Sequence, residues 1–513
     1  MAIKIIILVV FFLVMILVGV SARKKVNGVN DFVMGGRSIG PWMTAFSYGT
    51  SYFSAVVFIG YAGQFGWKFG IASTWIGIGN ALIGCMLAWV ILGRRTRVMT
   101  NHLSSSTMPD FFGKRYNSKA LKITASAIAF IFLIPYTASV YNGLSKLFAL
   151  AFDIPYMACV IGMAALTGVY VILGGYMATS MNDFIQGIIM LVGIVAVIAS
   201  VLNGHGGFLE AIKELSNVTS AETVGQPGVF ASFFGPDPAG LLGVVILTSL
   251  GTWGLPQMVG KFYAIKDEKS IKTGTIVSTF FAFVIGGGSY FLGGFGRLFG
   301  GEGAPFITMV DGKESIAYDG IIPYVLESSL GDILIGVVVV LVLSASMSTL
   351  SALVLTSSST LTLDLIKDNI VKDMSQKKQM VCLRIMVVFF VVVSVVIALD
   401  PPTFIAQLMG ISWGALAGAF LAPFMYGLYW KKVTKPAVWA SFVSGVGITV
   451  ANLFLNFTSP INAGALAMIA GIIIVPVVSV ITKNSQVEIN RIENIFECYN
   501  VKITTKKSKQ LSE

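Results

Sequence analysis

Apolar runs of about twenty residues recur from one end of this chain to the other, and they leave it few folds to choose from. A backbone in hydrocarbon has no water to bond, so every N–H and C=O must be satisfied within the protein. Only helices and closed barrels do that. Runs of this length suit helices and are about twice too long for barrel strands. The chain therefore reads as an all-α polytopic membrane protein. Composition agrees: 55% of its 513 residues are hydrophobic and 12% are charged, with a mean hydropathy of +0.83, far from ordinary soluble domains.

About thirteen transmembrane spans can be drawn, near 4–22, 41–66, 71–93, 123–151, 155–174, 181–202, 239–260, 273–296, 333–363, 381–399, 403–429, 437–456 and 463–482. The charges between them change sign with side. Arg23-Lys24-Lys25 follow the first run. Residues 94–122 carry Arg94, Arg95, Arg97, Lys114, Arg115, Lys119 and Lys122 against Asp110 alone. Lys261, Lys266, Lys269 and Lys272 mark a further basic loop; so do Lys367, Lys372, Lys377 and Lys378, and Lys431, Lys432 and Lys435. The long loops of opposite parity, about 203–238 and 298–332, are acidic, the first through Glu210, Glu214, Glu222 and Asp237 against Lys213. Basic loops stay inside. The N-terminus is thus expected outside and the C-terminus in the cytoplasm, in a multi-pass protein of the cell membrane. Val20-Ser21-Ala22 could pass for a signal-peptidase site, but the positive cluster follows the run instead of preceding it, so a retained helix is expected.

The net charge of +11 is spread over short loops with no basic domain, which argues against nucleic acid as a partner. Cys85, Cys159, Cys382 and Cys498 have neither metal nor redox spacing. His102 and His205 fall in expected loops, which speaks against a histidine proton relay. Walker A, HExxH, GxSxG and post-strand GxGxxG motifs are absent, so nothing here reads as an enzyme. Nor does any segment call for an obligatory protein partner.

One span carries unusual chemistry. Residues 341–362 hold Ser344, Ser346, Ser348, Thr349 and Ser351 in an otherwise apolar run. Positions 345, 348, 349 and 352 share a helical face, so Ser348 and Thr349 put two hydroxyls on one stripe. Neutral oxygens grouped at membrane depth suit a small hard cation. The plainer alternative is that such hydroxyls bond the preceding turn or a neighbouring helix. Two spans also look interrupted, the second at Gly49-Thr50-Ser51 and the seventh at Gly251, Gly254 and Pro256. If spans 2–6 and 7–11 are five-helix repeats, each break falls in the first helix of its repeat. That is the pattern of an inverted-repeat carrier with a midplane site. Set against this, Gly and Pro are common in membrane helices.

The chain resembles the sodium:solute symporters, carriers of proline, pantothenate, sialic acid and sugars. Four stretches carry the resemblance: Asp31-Phe32-Val33-Met34-Gly35-Gly36-Arg37-Ser38; Gly174-Gly175 leading to Asp183-Phe184-Ile185-Gln186-Gly187; Met347-Ser348-Thr349-Leu350-Ser351 with Ser357-Ser358 and Asp364-Leu365; and Gly427-Leu428-Tyr429-Trp430-Lys431. They run in order from about 31 to 432. The resemblance implies a LeuT-like 5+5 inverted repeat in which residues 1–40 form the first helix and the motif before the second span. Residues 41–202 and 239–430 would be the repeats, 203–238 an outer loop, 431–482 two peripheral helices and 483–513 a mobile cytoplasmic tail. It implies Na+ as coupling ion, held by the carbonyls of Thr50, Phe53 and Ala345 and the hydroxyls of Ser348 and Thr349. A second sodium site would use Asp183 and Ser351, though Ala352 replaces a hydroxyl that some relatives use. The solute would meet Tyr52, Ser54, Tyr136, Thr252 and Trp253. Proline-type relatives have an Asp where this chain has Tyr52.

The expected function is sodium-coupled import of a small organic solute, a carboxylate, amino acid or related acidic or zwitterionic compound. Asp183 follows Asn182 at an expected helix start, so an N-cap role explains it; one sodium per solute is the corresponding expectation. Two rivals differ in kind. A proton-coupled carrier of the same fold would use Asp183 as its proton site. A membrane sensor would need a signalling domain, for which residues 483–513 are too short and polar.

Overall fold

The computed structural model describes residues 2–23, 28–152, 154–220, 223, 226–301, 303–310, 313–371 and 373–500. Lys24, Lys25, Glu222, Lys372 and the tail beyond 500, which figured in the charge argument, lie outside the described residues.

The helix α1 (Ala2–Arg23) is apolar along its length and mostly uncovered, as a lipid-facing helix can be. A short α2 (Val29–Met34) stops where Gly35 turns left-handed at φ 60. Then comes the first interruption. α3 (Pro41–Tyr52) starts on a proline, which lacks the N–H a first turn cannot use. It passes through Gly49, Thr50 and Ser51 unbroken and stops at Phe53, which is extended at φ −106 and ψ 121. The break thus lies just past the stretch expected from sequence. Its cause is a cap: the Ser54 hydroxyl accepts from the N–H of Val56 at 3.2 Å and starts a new helix. That helix runs through a π turn, Val56–Tyr61, into α4 (Ala62–Phe69).

α5 (Thr74–Gly79) and α6 (Arg94–His102) are joined by π-helical turns over Asn80–Leu87 and Trp89–Gly93. Arg94, Arg95 and Arg97 are therefore helical. α7 (Met108–Arg115) is capped by Thr107, whose hydroxyl accepts from Asp110 N–H. α8 (Lys119–Phe152) is followed by α9 (Tyr156–Gly204), which turns sharply at Gly175. There φ is 51 and ψ −152, and a Cβ would come within 2.6 Å of the Phe32 ring, so only glycine fits. α10 (Phe208–Ser216) lies in the acidic segment.

The second interruption separates α11 (Pro238–Gly251) from α12 (Pro256–Tyr263). Its cause is steric: Pro256 forces Leu255 out of the helical region, to φ −83 and ψ 122. α13 (Glu268–Ala282) continues through a π turn into α14 (Gly288–Gly294). A Cβ on Gly66 would lie 2.0 Å from the Gly293 carbonyl oxygen, so α4 and α14 meet backbone to backbone. The second acidic segment folds a hairpin, β1 (Ile307–Val310) against β2 (Lys313–Ile316), and α15 (Ile321–Ser329). α16 (Asp332–Ser359) carries the hydroxyl-rich stretch and extends as a π-helical turn to Ile370. α17 (Gln376–Leu399), α18 (Ile405–Tyr429), α19 (Lys435–Leu455) and α20 (Pro460–Ile481) follow.

Among the described residues, eleven helices are long and apolar enough to cross a membrane. Of the thirteen expected spans, the one near 155–174 is the first arm of α9, up to its turn at Gly175, and the one at 41–66 is cut by its break. At the centre, α3 packs against α9, α13 and α16. The last residues correct an expectation. Up to residue 500 the tail is ordered, with α21 (Gln486–Phe496) docked on α7: Arg491 donates to the carbonyls of Lys114 and Arg115 at 3.1 and 2.8 Å.

Candidate functional site

The last carbonyls of a helix have no partners inside it. At the C-terminal end of α3 these belong to Thr50 and Ser51, and the middle of α16 faces them. The Thr349 hydroxyl lies 3.4 Å from the Thr50 carbonyl, 3.3 Å from that of Ser51 and 3.1 Å from that of Ala345. The Ser348 hydroxyl donates to Thr50 Oγ1 at 2.8 Å, and that hydroxyl donates to the Phe46 carbonyl at 2.8 Å. Ala345, Ser348, Thr349, Thr50 and Ser51 are all buried. Four of the five expected sodium ligands are thus brought together, with the Ser51 carbonyl as an unexpected addition. Phe53, the fifth, sits in the extended break, its ring stacked on Tyr52 at 4.4 Å. Ser346 also has a role the sequence reading missed: its hydroxyl accepts from the N–H of Ala55 at 3.1 Å, tying α16 to the start of the resumed helix.

The aromatic expectations divide. Tyr52 and Tyr136 meet on an indole, but it belongs to Trp413 of α18, 6.1 Å from the first ring and 5.8 Å from the second. Trp413 Nε1 is buried with no hydrogen-bond partner among the described residues. Tyr52 donates to the Thr248 carbonyl at 2.6 Å. Trp253 instead donates to the Ile83 carbonyl at 3.0 Å, and Thr252 to that of Gly84 at 3.0 Å. Both pin the second break to the helix beside it, while Ser54 is occupied as a cap. An indole between Ser412 and Gly414 in an apolar span was the signal that could have found Trp413.

Asp183 departs most from expectation. It is no N-cap: the helix arm begins after Gly175, and Asp183 is fully buried within it. Its Oδ2 accepts from Ser47 of α3 at 2.5 Å and lies 3.7 Å from the ammonium of Lys261. Lys261, assigned from sequence to a basic loop, is buried in α12. Pro256 was the available clue, since a helix starting there carries Lys261 inside it. Ser351 donates to the Ser348 carbonyl at 2.9 Å. A small cavity of about 40 Å³ opens between α2, α7, α9, α12 and α16, lined by Thr107, Tyr176, Gln257, Lys261 and Thr356 among others.

On the same side, Lys122 of α8 joins three carboxylates: Asp110 at 2.6 Å, Asp364 at 3.2 Å and Asp368 at 2.6 Å. Burial pushes the Asp110 carboxyl up, but Lys122 and Lys114 together outweigh it and hold it below the ordinary carboxylate value.

Known proteins give this arrangement a context. Residues 32–445 match the model of the sodium:solute symporter family. The osmoregulated proline transporter OpuE of Bacillus subtilis is 28% identical over 509 residues, covering 97% of this chain and 99% of its own. A sodium/proline symporter of Staphylococcus aureus is 30% identical over 453 residues, 86% of this chain and 84% of its own. Among solved structures, a substrate-bound, outward-open Na+-coupled sialic acid symporter superposes with a TM-score of 0.71 at 16% identity, over 94% of this chain and 99% of that one. The nucleobase-cation-symport-1 family transporter Mhp1 follows with a TM-score of 0.54 at 14% identity, over 90% and 98%.

Proposed function

Because this chain belongs to the sodium:solute symporter family, we propose that it takes up a small zwitterionic solute of the amino-acid class with one sodium ion per solute. Sodium-coupled import of a small organic solute across a membrane is the activity of the family, and the fold is that of its sialic acid carrier. The chain is a transporter and not an enzyme. The observation that carries the sodium reading is the seating of Ser348 and Thr349 against Thr50 and Ser51. With the carbonyl of Ala345, and that of Phe53 from the break, these oxygens would form a neutral shell suited to a hard monovalent cation. Ser51 and Tyr52 are neighbours in the same last turn. A sodium ion bridging α3 and α16 would therefore order the segment that presents Tyr52. Solute and sodium would then strengthen each other's binding.

The solute class rests on two supports. The curated relatives named above carry proline in their names. In this chain the rings of Tyr52, Tyr136 and Trp413 meet beside the breaks, where carbonyls can receive an ammonium group and helix starts favour a carboxylate. Ser54, Thr252 and Trp253 act on the solute by holding the breaks in shape. The layout we propose keeps the N-terminus outside and the C-terminus in the cytoplasm of a cell membrane, with repeats at 41–202 and 239–430.

Uptake into proteoliposomes tests this, with a labelled panel of neutral amino acids, dicarboxylates and sugars. Import of a neutral amino acid should need an inward sodium gradient and should not follow a potassium gradient. Equal uptake under a proton gradient alone would overturn the sodium reading, and preference for a sugar the solute class.

A further inference from the structure

We propose that the Lys261 ammonium is a cation supplied by the chain itself, seated where a second sodium ion would otherwise meet Asp183, so that this carrier has room for only one. The proposal rests on the sodium site just described and extends it to the neighbouring carboxylate.

The geometry has three parts. Lys261 Nζ donates to Ser47 Oγ at 2.7 Å, Ser47 donates in turn to Asp183 Oδ2 at 2.5 Å, and the ammonium stands 3.7 Å from that same oxygen. The ammonium also stands over the face of Tyr176, 5.2 Å from its centroid. Lysine and aspartate side chains are 3% and 1% exposed, so each charge is answered by the other and not by water. Second, this pair adjoins the sodium site. Ser47 lies one turn before Thr50 on α3, so the two hydroxyls share a face. Third, the position after Ser351 offers a second sodium no hydroxyl. The Ser351 hydroxyl donates its proton to the Ser348 carbonyl at 2.9 Å, and Ala352 has no side-chain oxygen to offer. Asp183 Oδ1 is buried without a hydrogen-bond partner among the described residues, so the carboxylate keeps one oxygen that a cation could use once the ammonium is gone. A sodium ion placed there beside Lys261 would set two positive charges on one carboxylate in a site poorly screened by water.

Equilibrium binding of radiolabelled sodium to the purified full-length protein tests this without knowledge of the solute. The wild type should bind one sodium ion per chain, lost in Ser348→Ala. Lys261→Gln should bind two, returning to one when Asp183→Asn is added, and Lys261→Arg should stay at one. A folded Lys261→Gln that still binds one overturns the proposal, as does a wild type that binds two and loses one in Asp183→Asn. Where Lys261→Gln does not fold, wild type against Asp183→Asn still decides: equal counts support the tethered cation, and a lost sodium ion refutes it. A wild type that binds no sodium would bring down the Ser348 and Thr349 site itself, and the proposal with it.

Discussion

At Thr349 one hydroxyl faces three carbonyl oxygens, and its single proton can serve only one of them at a time. The remaining lone pairs are what a desolvated sodium ion takes. Removing that hydroxyl, or its neighbour at Ser348, deletes a ligand to a charged group, a loss of about 1.5–3 kcal/mol. Thr349→Ala and Ser348→Ala should each weaken sodium activation roughly tenfold to a hundredfold with expression preserved. Normal half-saturation by sodium in both would place the ion elsewhere. Tyr52→Phe and Trp413→Phe probe the other side of the break. They should change solute affinity or preference more than intrinsic sodium affinity, with a smaller sodium shift through coupling. The Ser348 and Thr349 pairing was legible in the sequence because hydroxyls in an apolar run are conspicuous. Trp413 was not, because a tryptophan in a membrane helix is ordinary until its neighbours in space are known.

Among elements, the two broken helices are interrupted by different chemistry. α3 ends because Ser54 offers the next helix a cap, and Ser346 of α16 reinforces it through Ala55. α11 ends because Pro256 denies Leu255 a helical backbone. The two causes respond differently to mutation. Pro256→Ala lifts the steric restriction and lets helix extend across Thr252–Leu255, straightening the hinge that alternating access needs. It should leave the amount of folded protein near normal and lower the maximal uptake rate severalfold. An unchanged rate would mean that the Thr252 and Trp253 bonds to the neighbouring helix hold the break open by themselves. Breaks were foreseeable from Gly, Ser and Pro clusters. The placement of the first, just past Ser51, was not, since the cap depends on which hydroxyl the turning backbone brings within reach.

Across the molecule, charges tie the elements together on the side bearing the basic loops. Lys122 links α8 to α7 through Asp110 and to the turn after α16 through Asp364 and Asp368. Arg37 adds bonds to Ser105 and Tyr263 carbonyls at 2.6 and 3.2 Å. Because the folded state holds the Asp110 carboxyl below its unfolded value, its contribution is complete above about pH 4 and is lost as pH falls through the folded value. Thermal stability should therefore decline on acidification below about pH 4. Asp110→Asn should cost about 1–3 kcal/mol at neutral pH and flatten part of that decline. An unaltered acid limb in the variant would assign the effect to other carboxylates.

Hydropathy and loop charge, read along the chain, were enough for the membrane class, Gly, Ser and Pro clusters for the two interrupted spans, and the motifs resembling a known family pointed to a sodium-coupled carrier. Each of these depends on composition over a window, or on residues close together in sequence, so no three-dimensional contact is needed to see it. The pairing of Asp183 with Lys261, 78 positions apart by their numbers, the meeting of Tyr52 and Tyr136 on Trp413, and the docking of α21 were decided only in the folded chain. An acid at a helix start and a lysine beside a loop look solvated wherever sequence alone is read. Only the packing of α3, α9 and α12 takes water away from both and leaves each as the other's counter-charge.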